Sequence, residues 1–228
     1  MIKQICLPIL SEELCELLGA VLGDGTLTKH FIRISGDYRY DLEYFAYLNF
    51  LVNSLFGING VVEKDKRGNI AYLRFCSILF CKFFNELGLP YGKKIDIHLP
   101  TTLLANKQFK IGLLRGLMDT DGSLCKRGNR LALVYTSYNK YLLNLVETIG
   151  KEFDVFTHKN ESQVGTDSWP KICKYFGLIG SSNFRHITCF LAKIKHNKLI
   201  YKIETEKFKN LREGLIVPYR ALGLVVRA

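Results

Sequence analysis

Two aspartates, each followed by glycine and each closing an apolar, helix-like run, are the residues of this sequence best suited to chemistry. The runs read LLGAVLGDG over residues 17–25 and LRGLMDTDG over residues 114–122. Their aspartates, Asp24 and Asp121, lie 121 − 24 = 97 positions apart, so each run heads about half of the 228-residue chain. A motif repeated at this spacing predicts two similar subdomains that each contribute one carboxylate to a shared site.

Small residues recur four positions apart within both runs. They are Gly19 and Gly23 in the first run, and Gly116 and Thr120 in the second. In a helix this spacing places both members of a pair on one face. Because glycine inside a helix costs about 1 kcal/mol relative to alanine, the pattern indicates a compensating close approach of two helix backbones. Such packing would bring the two aspartates together.

The ends of these two predicted helices favour a cation. A carboxylate there adds to the partial negative charge of unpaired carbonyls, and two adjacent carboxylates repel each other. Either protonation of one carboxylate or a divalent cation relieves this repulsion. Carboxylate and carbonyl oxygens suit Mg²⁺, with Mn²⁺ as a substitute. Paired metal ions between two acids stabilise the attacking and leaving oxygens of phosphodiester hydrolysis.

The overall charge of the chain points to a polyanionic partner. Lysine and arginine outnumber aspartate and glutamate by 32 to 21, which gives a net charge of +11. Nucleic acid is the first candidate and an anionic membrane surface the second. The sequence shows no basic amphipathic helix with an aromatic face and no apolar stretch of membrane-spanning length, so we expect no membrane partner.

The cysteines and histidines indicate a reducing compartment and no zinc site. The seven cysteines are an odd number, none of them forms a C-x-x-C pair, and most have apolar neighbours. The five histidines show no ligand-like spacing. We therefore expect an intracellular protein, in a prokaryotic cytoplasm or an organelle.

Local patterns predict the same order of elements in both halves. In the first half they predict a helix over 11–24, short strands at 26–29 and 31–35, a helix over 42–56, a hairpin of strands at 61–64 and 70–76, and a helix over 78–87. In the second half they predict a helix over 107–119, strands at 123–125 and 130–136, a helix over 140–153, and strand pieces within 155–168. The predicted fold is α+β with an internal duplication.

Composition also sets the expected domain boundaries. Residues 1–88 form the first repeat, and residues 89–105, which contain two prolines and a glycine, form the linker. Residues 106–228 form the second repeat. Within it, residues 183–211 are predicted to be a helical, lysine-rich addition without a counterpart in the first half.

The two runs resemble the motifs of the LAGLIDADG family of homing endonucleases, in the single-chain form with two motif copies. The resemblance extends from residue 11 to about residue 211. It implies two pseudo-symmetric αββαββα repeats, a saddle of two antiparallel sheets lying along DNA, motif helices packed at the interface, and a monomer with internal pseudo-twofold symmetry.

By motif position, the resemblance implies specific site residues. The eighth place gives the catalytic, metal-binding acids Asp24 and Asp121, and the seventh gives the carbonyl ligands Gly23 and Thr120. The sixth place departs from the family pattern, because Leu22 stands where the second motif has Asp119.

Family members also keep a basic residue near the cleft. Lys94 in the segment GKK matches it in the first half, where it would neutralise charge in the transition state or orient water. A solvated linker lysine is the alternative interpretation of Lys94. In the second half the segment GSSNFRH makes Arg185 the candidate.

DNA binding is expected to use the strands. Basic and aromatic side chains alternate with apolar ones at residues 31–35 and 70–76, and such strands suit the major groove, where flanking cations hold phosphates. Together with basic residues around both hairpins and a polar residue of a late strand, the candidate contacts are Arg33, Lys64, Lys66, Arg67, Tyr72, Arg74, Lys126, Arg127, Arg130, Gln163 and Arg185.

These features predict a site-specific, metal-dependent DNA endonuclease that makes a double-strand break in a long, asymmetric target during intron homing. Two alternatives remain open on the same fold. One is an intron RNA-splicing maturase, which would make intron RNA a further partner. The other is a non-catalytic DNA-binding protein.

Overall fold

The computed structural model of the chain divides into two compact units, Met1–Gly116 and Leu117–Ala228. It describes residues 5–66 and 68–212. Each unit contains one four-stranded antiparallel sheet with helices packed against it. Within the described ranges, no helix is both long and apolar enough to cross a membrane.

The first unit follows the predicted order of helices and strands. Its elements are α1 (Glu12–Asp24), β1 (Gly25–Leu27), β2 (Phe31–Asp37), α2 (Leu42–Phe56), β3 (Val61–Lys64), β4 (Ile70–Cys76), α3 (Ile78–Glu86) and α4 (Thr101–Ala105). The sheet order is β1-β2-β4-β3. Local signals set the boundaries: the Ser11 hydroxyl accepts a hydrogen bond from the Leu14 amide at 3.2 Å to start α1, and Gly57 ends α2 in the left-handed region at φ 71°.

The core of the first unit lies between the sheet and its helices. Alternate residues of β2 and β4 are buried on one face, as Ile34 and Leu73 show by facing each other across the two strands. Against that face Phe56, Phe80 and Phe84 pack edge to face or tilted, with ring centroids 4.7–6.1 Å apart. Burial of each such side chain contributes about 1.5–3 kcal/mol.

The second unit repeats the arrangement. Helix α5 (Lys107–Thr120) begins in the first unit and ends in the second, and is followed by β5 (Gly122–Arg127), β6 (Arg130–Thr136), α6 (Lys140–Glu152), β7 (His158–Lys159), β8 (Gln163–Thr166), α7 (Trp169–Leu178) and α8 (Phe184–His196). A 3₁₀ segment, Lys202–Arg212, comes last. The sheet order β5-β6-β8-β7 matches that of the first sheet. The α+β class, the αββαββα order and the C-terminal helical extension are therefore confirmed.

Several element limits differ from the sequence prediction for local reasons. Strand β1 ends at Leu27 rather than residue 29, because the Thr28 hydroxyl accepts hydrogen bonds from the amides of His30 and Phe31 and forms a turn. The predicted helical addition is interrupted at Asn197, whose φ of 50° ends α8. The loop before α5 also contains the short helix α4, which begins after Pro100.

The cysteines are free thiols in the described part of the chain. Three of the seven are buried among apolar side chains. Burial, together with the nearby charges of Glu12 and Glu13, raises the pKa of Cys15 to about 12, and burial raises the pKa of Cys189 to about 12. These thiols act as small apolar side chains rather than as nucleophiles.

Within the first unit, the start of α5 packs backbone to backbone against α1. A Cβ atom on Gly112 would lie 2.1 Å from the Glu12 carbonyl oxygen, and one on Gly116 would lie 2.0 Å from the Glu16 carbonyl oxygen. Both distances are far shorter than any non-bonded contact between carbon and oxygen. Glycine at these two positions is therefore required by the close approach of the helices, as the small-residue spacing predicts for Gly116.

A buried ion cluster crosses the same helix pair. The Arg115 guanidinium, which is 1% exposed, donates to Glu16 at 2.8 Å and to Glu12 at 2.7 Å. The Tyr47 hydroxyl donates to the other oxygen of Glu16 at 2.8 Å. Burial by itself would lower the pKa of Arg115, but the charge of Glu16 and the hydrogen bonds to both glutamates raise it above its ordinary value. The Arg115 guanidinium is therefore charged and is paired with two carboxyl groups.

Removing the cation of this cluster should destabilise the protein strongly. We expect Arg115→Met to lower the free energy of unfolding by about 3–5 kcal/mol, because Glu16 would remain buried without its countercharge. Urea denaturation followed by circular dichroism measures the loss. The control is Arg39→Met, which removes an exposed arginine paired with Asp37 and should leave the midpoint nearly unchanged. Equal effects of the two variants would contradict the assigned role of the cluster.

Candidate functional site

Both motif aspartates lie where a helix passes directly into a strand. Asp24 is the last residue of α1, and Gly25 begins β1. Asp121 follows the last residue of α5, and Gly122 begins β5. Both carboxylate-bearing residues are half-buried. The two units thus present an acid at equivalent points of the fold.

The glycine after each aspartate makes this junction possible. A Cβ atom on Gly25 would lie 2.4 Å from the carbonyl oxygen of Val21, one turn earlier in α1. On Gly122 it would lie 2.2 Å from the carbonyl oxygen of Met118. The strand leaves along the side of the helix that it follows, so no other residue type fits without a shift of the backbone.

Lys94 lies at the C-terminal end of α1. Its ammonium donates a hydrogen bond to the carbonyl of Leu22 at 2.7 Å and another to the carbonyl of Gly23. The backbone of its loop is held by the Gly92 amide, which donates to Leu27 at 2.8 Å. A cation at this place complements the negative end of the helix. The structure therefore places Lys94 at the first motif, on the carbonyl that the sequence predicts as a metal ligand.

A groove extends from Asp24 along the first sheet. It is lined by Asp24, Ser35, Gly36, Asp37, Asn69 and Ile70. The second carboxylate, that of Asp37, pairs with Arg39 at 3.0 Å. The groove connects the first motif with the outward-facing edge of β2 and the turn that precedes β4.

In the second unit, the Asp121 carboxylate contacts a buried tyrosine. The Tyr135 hydroxyl donates to Asp121 Oδ2 at 3.4 Å. The neighbouring Thr120 hydroxyl turns back to the Leu117 carbonyl at 3.1 Å. This hydrogen bond holds the Thr120 side chain against the last turn of α5.

Asp119, the sixth-place acid of the second motif, is a structural anchor. It is 1% exposed. Its carboxylate accepts hydrogen bonds from the Ser181 hydroxyl and, at 2.7 Å, from the Ser182 amide. These bonds fix the loop before α8 to the end of α5. Oδ1 of Asp119 also lies 3.5 Å from Nδ1 of the buried His186. A carboxylate buried among these partners supports structure rather than metal binding.

The sixth-place carbonyls of the two motifs are capped in the same way. Leu22 accepts from Lys94, and Asp119 accepts from the Asn183 side-chain amide at 2.8 Å. Each donor follows the third helix of its repeat. The second-half residue at this position is therefore Asn183, which the sequence prediction missed, while the predicted Arg185 lies two residues further on in α8. An asparagine just before a predicted helix is a cap signal that could have identified it.

The donor atoms at both junctions fit a hard divalent cation. Each junction offers a carboxylate and backbone carbonyls, which are the oxygen ligands that Mg²⁺ and Mn²⁺ prefer. Nowhere in residues 5–66 and 68–212 do three side chains of histidine, cysteine, aspartate or glutamate gather. A cation at either junction would thus depend on carbonyl oxygens as well as on the single carboxylate of that junction.

The outward face of the first sheet is polar and basic. Arg33 and Arg74 face each other across β2 and β4, on the side away from the buried Ile34. The Arg74 guanidinium donates to Glu63 at 2.9 Å, and the Arg33 guanidinium lies 4.7 Å from the centroid of the Tyr72 ring. Like charges directly opposite each other are unfavourable, so this face is suited to an anionic partner.

The remaining first-unit candidates lie elsewhere on the hairpin. Lys64 pairs in register with Ala71 and so belongs to the other face of the sheet, where its ammonium lies 4.4 Å from the Tyr38 ring centroid. Lys66 is exposed in the turn. Arg67 lies outside the described residues.

In the second sheet, three candidates share one face. Arg127 faces Arg130 across the β5–β6 hairpin and donates to Gln163 at 3.3 Å. Gln163 in turn donates to Thr136 at 3.3 Å. Lys126 shares the opposite face with Leu131.

Comparison with known proteins finds the same fold in several solved structures. Residues 108–210 match the family model of the LAGLIDADG-like domain. The structure of the homing endonuclease I-DmoI in complex with DNA and Ca is similar, with a TM-score of 0.52 and 17% identity over 75% of this chain and 93% of that one. The complex of I-DmoI with DNA and Mn gives a TM-score of 0.51 and 19% identity over 74% and 96%.

Two further proteins are similar to this chain, one in structure and one in the sequence of a segment. Full-length DUF199/WhiA from Thermatoga maritima gives a TM-score of 0.55 and 15% identity over 90% of this chain and 69% of that one. A segment of 93 residues, 40% of this chain, is 36% identical to a polypeptide of the A-type ATP synthase of Pyrococcus abyssi (strain GE5 / Orsay). That segment spans only 9% of the ATP synthase polypeptide. The resemblance to the LAGLIDADG family inferred from the motifs is confirmed.

The helix–strand junction at the second aspartate should not tolerate a side chain after it. We expect Gly122→Ala to lower the free energy of unfolding by about 1–3 kcal/mol, because the new methyl group would meet the Met118 carbonyl. The matched control is Gly177→Ala in α7, where a methyl group meets nothing within 4 Å and should stabilise by up to about 1 kcal/mol. Thermal unfolding of both variants measures the difference. A neutral Gly122→Ala variant would argue against the tight junction.

Proposed function

We propose that this chain, whose fold is that of the LAGLIDADG proteins and whose residues 108–210 form a LAGLIDADG-like domain, is a site-specific DNA endonuclease. It would make a double-strand break in a long, asymmetric DNA target by divalent-metal-dependent phosphodiester hydrolysis, as in intron homing. The proposal depends above all on one observation: both units place a half-buried aspartate at the same helix–strand junction.

Asp24 and Asp121 are the proposed metal-binding catalytic residues. The carbonyls of Gly23 and Thr120 would complete the oxygen ligands, with Mg²⁺ as the expected ion and Mn²⁺ as a substitute. A bound divalent cation would neutralise charge on the phosphate and would lower the pKa of a water molecule bound to it. The I-DmoI complexes with DNA and either Ca or Mn support both the substrate class and the use of divalent metals.

Lys94 is the proposed basic residue of the first half. Its ammonium lies on the carbonyls next to Asp24, within the negative potential of the end of α1. From that place it would neutralise the developing charge on a phosphate oxygen. In the second half the corresponding donor is the uncharged amide of Asn183, so the two junctions differ in charge and the two cuts should differ in rate.

The outward sheet faces are the proposed DNA-contacting surfaces. Arg33, Tyr72 and Arg74 on the first sheet present cations and an aromatic ring together. Arg127, Arg130 and Gln163 on the second sheet present cations and a side-chain amide. Because the two sets differ in residue type, the two halves of the target need not match, which fits a monomer that reads a nonpalindromic site.

A non-catalytic DNA-binding protein is the second candidate function. The specific observation in its favour is Lys94, since an ammonium bound to the Gly23 carbonyl already supplies a cation where a metal would bind. In that case Asp24 would be neutralised in part by Lys94, and the chain would bind DNA without cutting it. The two candidate functions make opposite predictions for variants of the motif acids and of Lys94.

Replacement of each motif acid tests catalysis. A library of duplexes with randomised sequence, sorted for cut products in the presence of Mg²⁺, supplies the target. We expect Asp24→Asn and Asp121→Asn each to slow double-strand cleavage at least about 100-fold, because each variant loses a metal-binding carboxylate. Asp154→Asn is the control: Asp154 is an exposed acid at a φ of 55°, which asparagine also tolerates. If both motif variants cut at the wild-type rate, the mechanism fails.

Replacement of Lys94, measured together with the wild-type protein, distinguishes the two candidate functions. With an endonuclease, Lys94→Gln should slow cleavage about 10- to 100-fold at saturating Mg²⁺, through lost charge neutralisation in the transition state, while DNA affinity changes little. Lys93→Gln, one residue away and exposed, is the matched control. An absence of cleavage in the wild-type protein on every library member, together with tight DNA binding, would instead favour the non-catalytic candidate.

A further inference from the structure

More than half of the net positive charge of the chain lies in one short segment. Residues 184–212, which include α8 and the 3₁₀ segment and are here called the C-terminal extension, contain eight lysines and arginines but only two glutamates. Their net charge is 8 − 2 = +6, out of +11 for the whole chain. Among these eight residues, Arg185 alone belongs to the candidate DNA contacts predicted from the sequence.

The fold gathers these charges rather than spreading them. The last turn of α8 packs against the 3₁₀ segment: the Lys195 ammonium donates to the Leu211 carbonyl at 3.2 Å. The Lys198 ammonium lies 4.7 Å from the centroid of the Phe208 ring. Phe208 stands between Lys207 and Lys209 in the sequence, so lysines from both elements form one cluster.

The two glutamates of the extension are too few to neutralise this cluster. Glu206 forms an ion pair with Lys209 at 2.6 Å, and Glu204 accepts from the Tyr201 amide at 2.8 Å. Lys198, Lys202 and Lys207 are all exposed. Lysines held within one Debye length of each other repel, and a polyanion relieves that repulsion.

The extension also adjoins the second sheet. The Lys126 ammonium of β5 lies 5.3 Å from the centroid of the Tyr201 ring, which is itself half exposed. Lys126 belongs to the hairpin that carries Arg127 and Arg130. Lys126 lies on the face of this hairpin opposite to Arg127 and Arg130, next to the turn between the two strands. The lysine cluster of the extension therefore adjoins the hairpin on that other face.

We propose that the C-terminal extension is a second phosphate-binding surface, which takes the backbone of duplex DNA next to the stretch contacted by the second sheet. Lysine is a flexible point charge that holds phosphates without reading bases, so the extension would lengthen the footprint and raise affinity without adding sequence preference. The choice of duplex DNA as partner rests on the proposed function and on the contact of the extension with the β5–β6 hairpin.

The experiment compares two triple variants that remove equal charge. K198Q/K202Q/K207Q neutralises three exposed lysines of the extension. K82Q/K151Q/K174Q neutralises three exposed lysines on α3, α6 and α7, each of which pairs with a carboxylate. The probe is a fluorescent 40-base-pair duplex of arbitrary sequence, without divalent metal, titrated at a series of KCl concentrations.

The expected result is a change in salt dependence for the extension variant alone. Loss of three phosphate contacts should reduce the slope of log K against log salt by about 2.7, at about 0.9 per contact. Binding near 0.1 M salt should weaken about 500-fold, since 0.1 M lies one decade below 1 M salt, where the contribution of counterion release vanishes. The control variant should keep the wild-type slope. Lys202→Gln, with an expected change of about 0.9, gives a second reading if the triple variant is unstable.

Three outcomes would overturn the proposal. They are an unchanged slope in the extension variants, an equal loss in the control, and a loss confined to a 40-nucleotide single-stranded RNA, which would make the extension an RNA surface instead. Because the assay contains no metal and measures no cleavage, it is independent of the Asp24 and Asp121 variants. An inactive nuclease would leave a positive result here intact.

Discussion

The contact between α1 and the start of α5 is the constraint on which the first unit depends. Because Gly112 and Gly116 have no side chains, the backbones of the two helices can come into contact. Beside this contact, the Arg115 guanidinium forms ion pairs with Glu12 and Glu16. A buried ion cluster contributes little net stability compared with apolar packing. The cluster instead specifies how the two helices pair. A shift of either helix by one residue would leave buried charges without their partners, which is strongly destabilising. The cluster thus fixes the helix that ends in Asp24.

The two motifs share geometry more closely than charge. In both motifs a helix ends at an aspartate, and the glycine that follows allows a strand to begin directly after it. In both, a side chain that follows the third helix of the repeat also donates a hydrogen bond to the sixth-place carbonyl. In the first motif that side chain is the ammonium of Lys94, and in the second it is the amide of Asn183. Asp119 makes the difference clear, because its buried carboxylate holds the loop that supplies Asn183. The two junctions therefore have the same backbone geometry but differ in charge.

Much of the fold could be predicted because its signals are local. The limits of β3 and β4 agree with the alternation of apolar residues and the intervening turn, and Ser11 and Gly57 mark helix ends by the hydrogen bonds and φ angles those residue types favour. Where prediction failed, a short-range polar contact decided the outcome, as with the Thr28 turn after β1. The candidate site was predicted less completely: motif positions gave the acids and Lys94, but the role of Asn183 depends on a hydrogen bond across 64 residues.

The sequence by itself determined the duplication, the order of elements, and the Asp-Gly junctions, because periodicity and turn chemistry operate over a few residues. Only the tertiary structure decided which distant side chains meet. Arg115 donates a hydrogen bond to Glu16, 99 positions away in the sequence, and Lys94 donates one to Leu22, 72 positions away. It also decided that Lys64 and Arg33 lie on opposite faces of one sheet, and that the lysines of the C-terminal extension form a cluster. Such pairings follow from packing in three dimensions, and no local pattern in the chain encodes them.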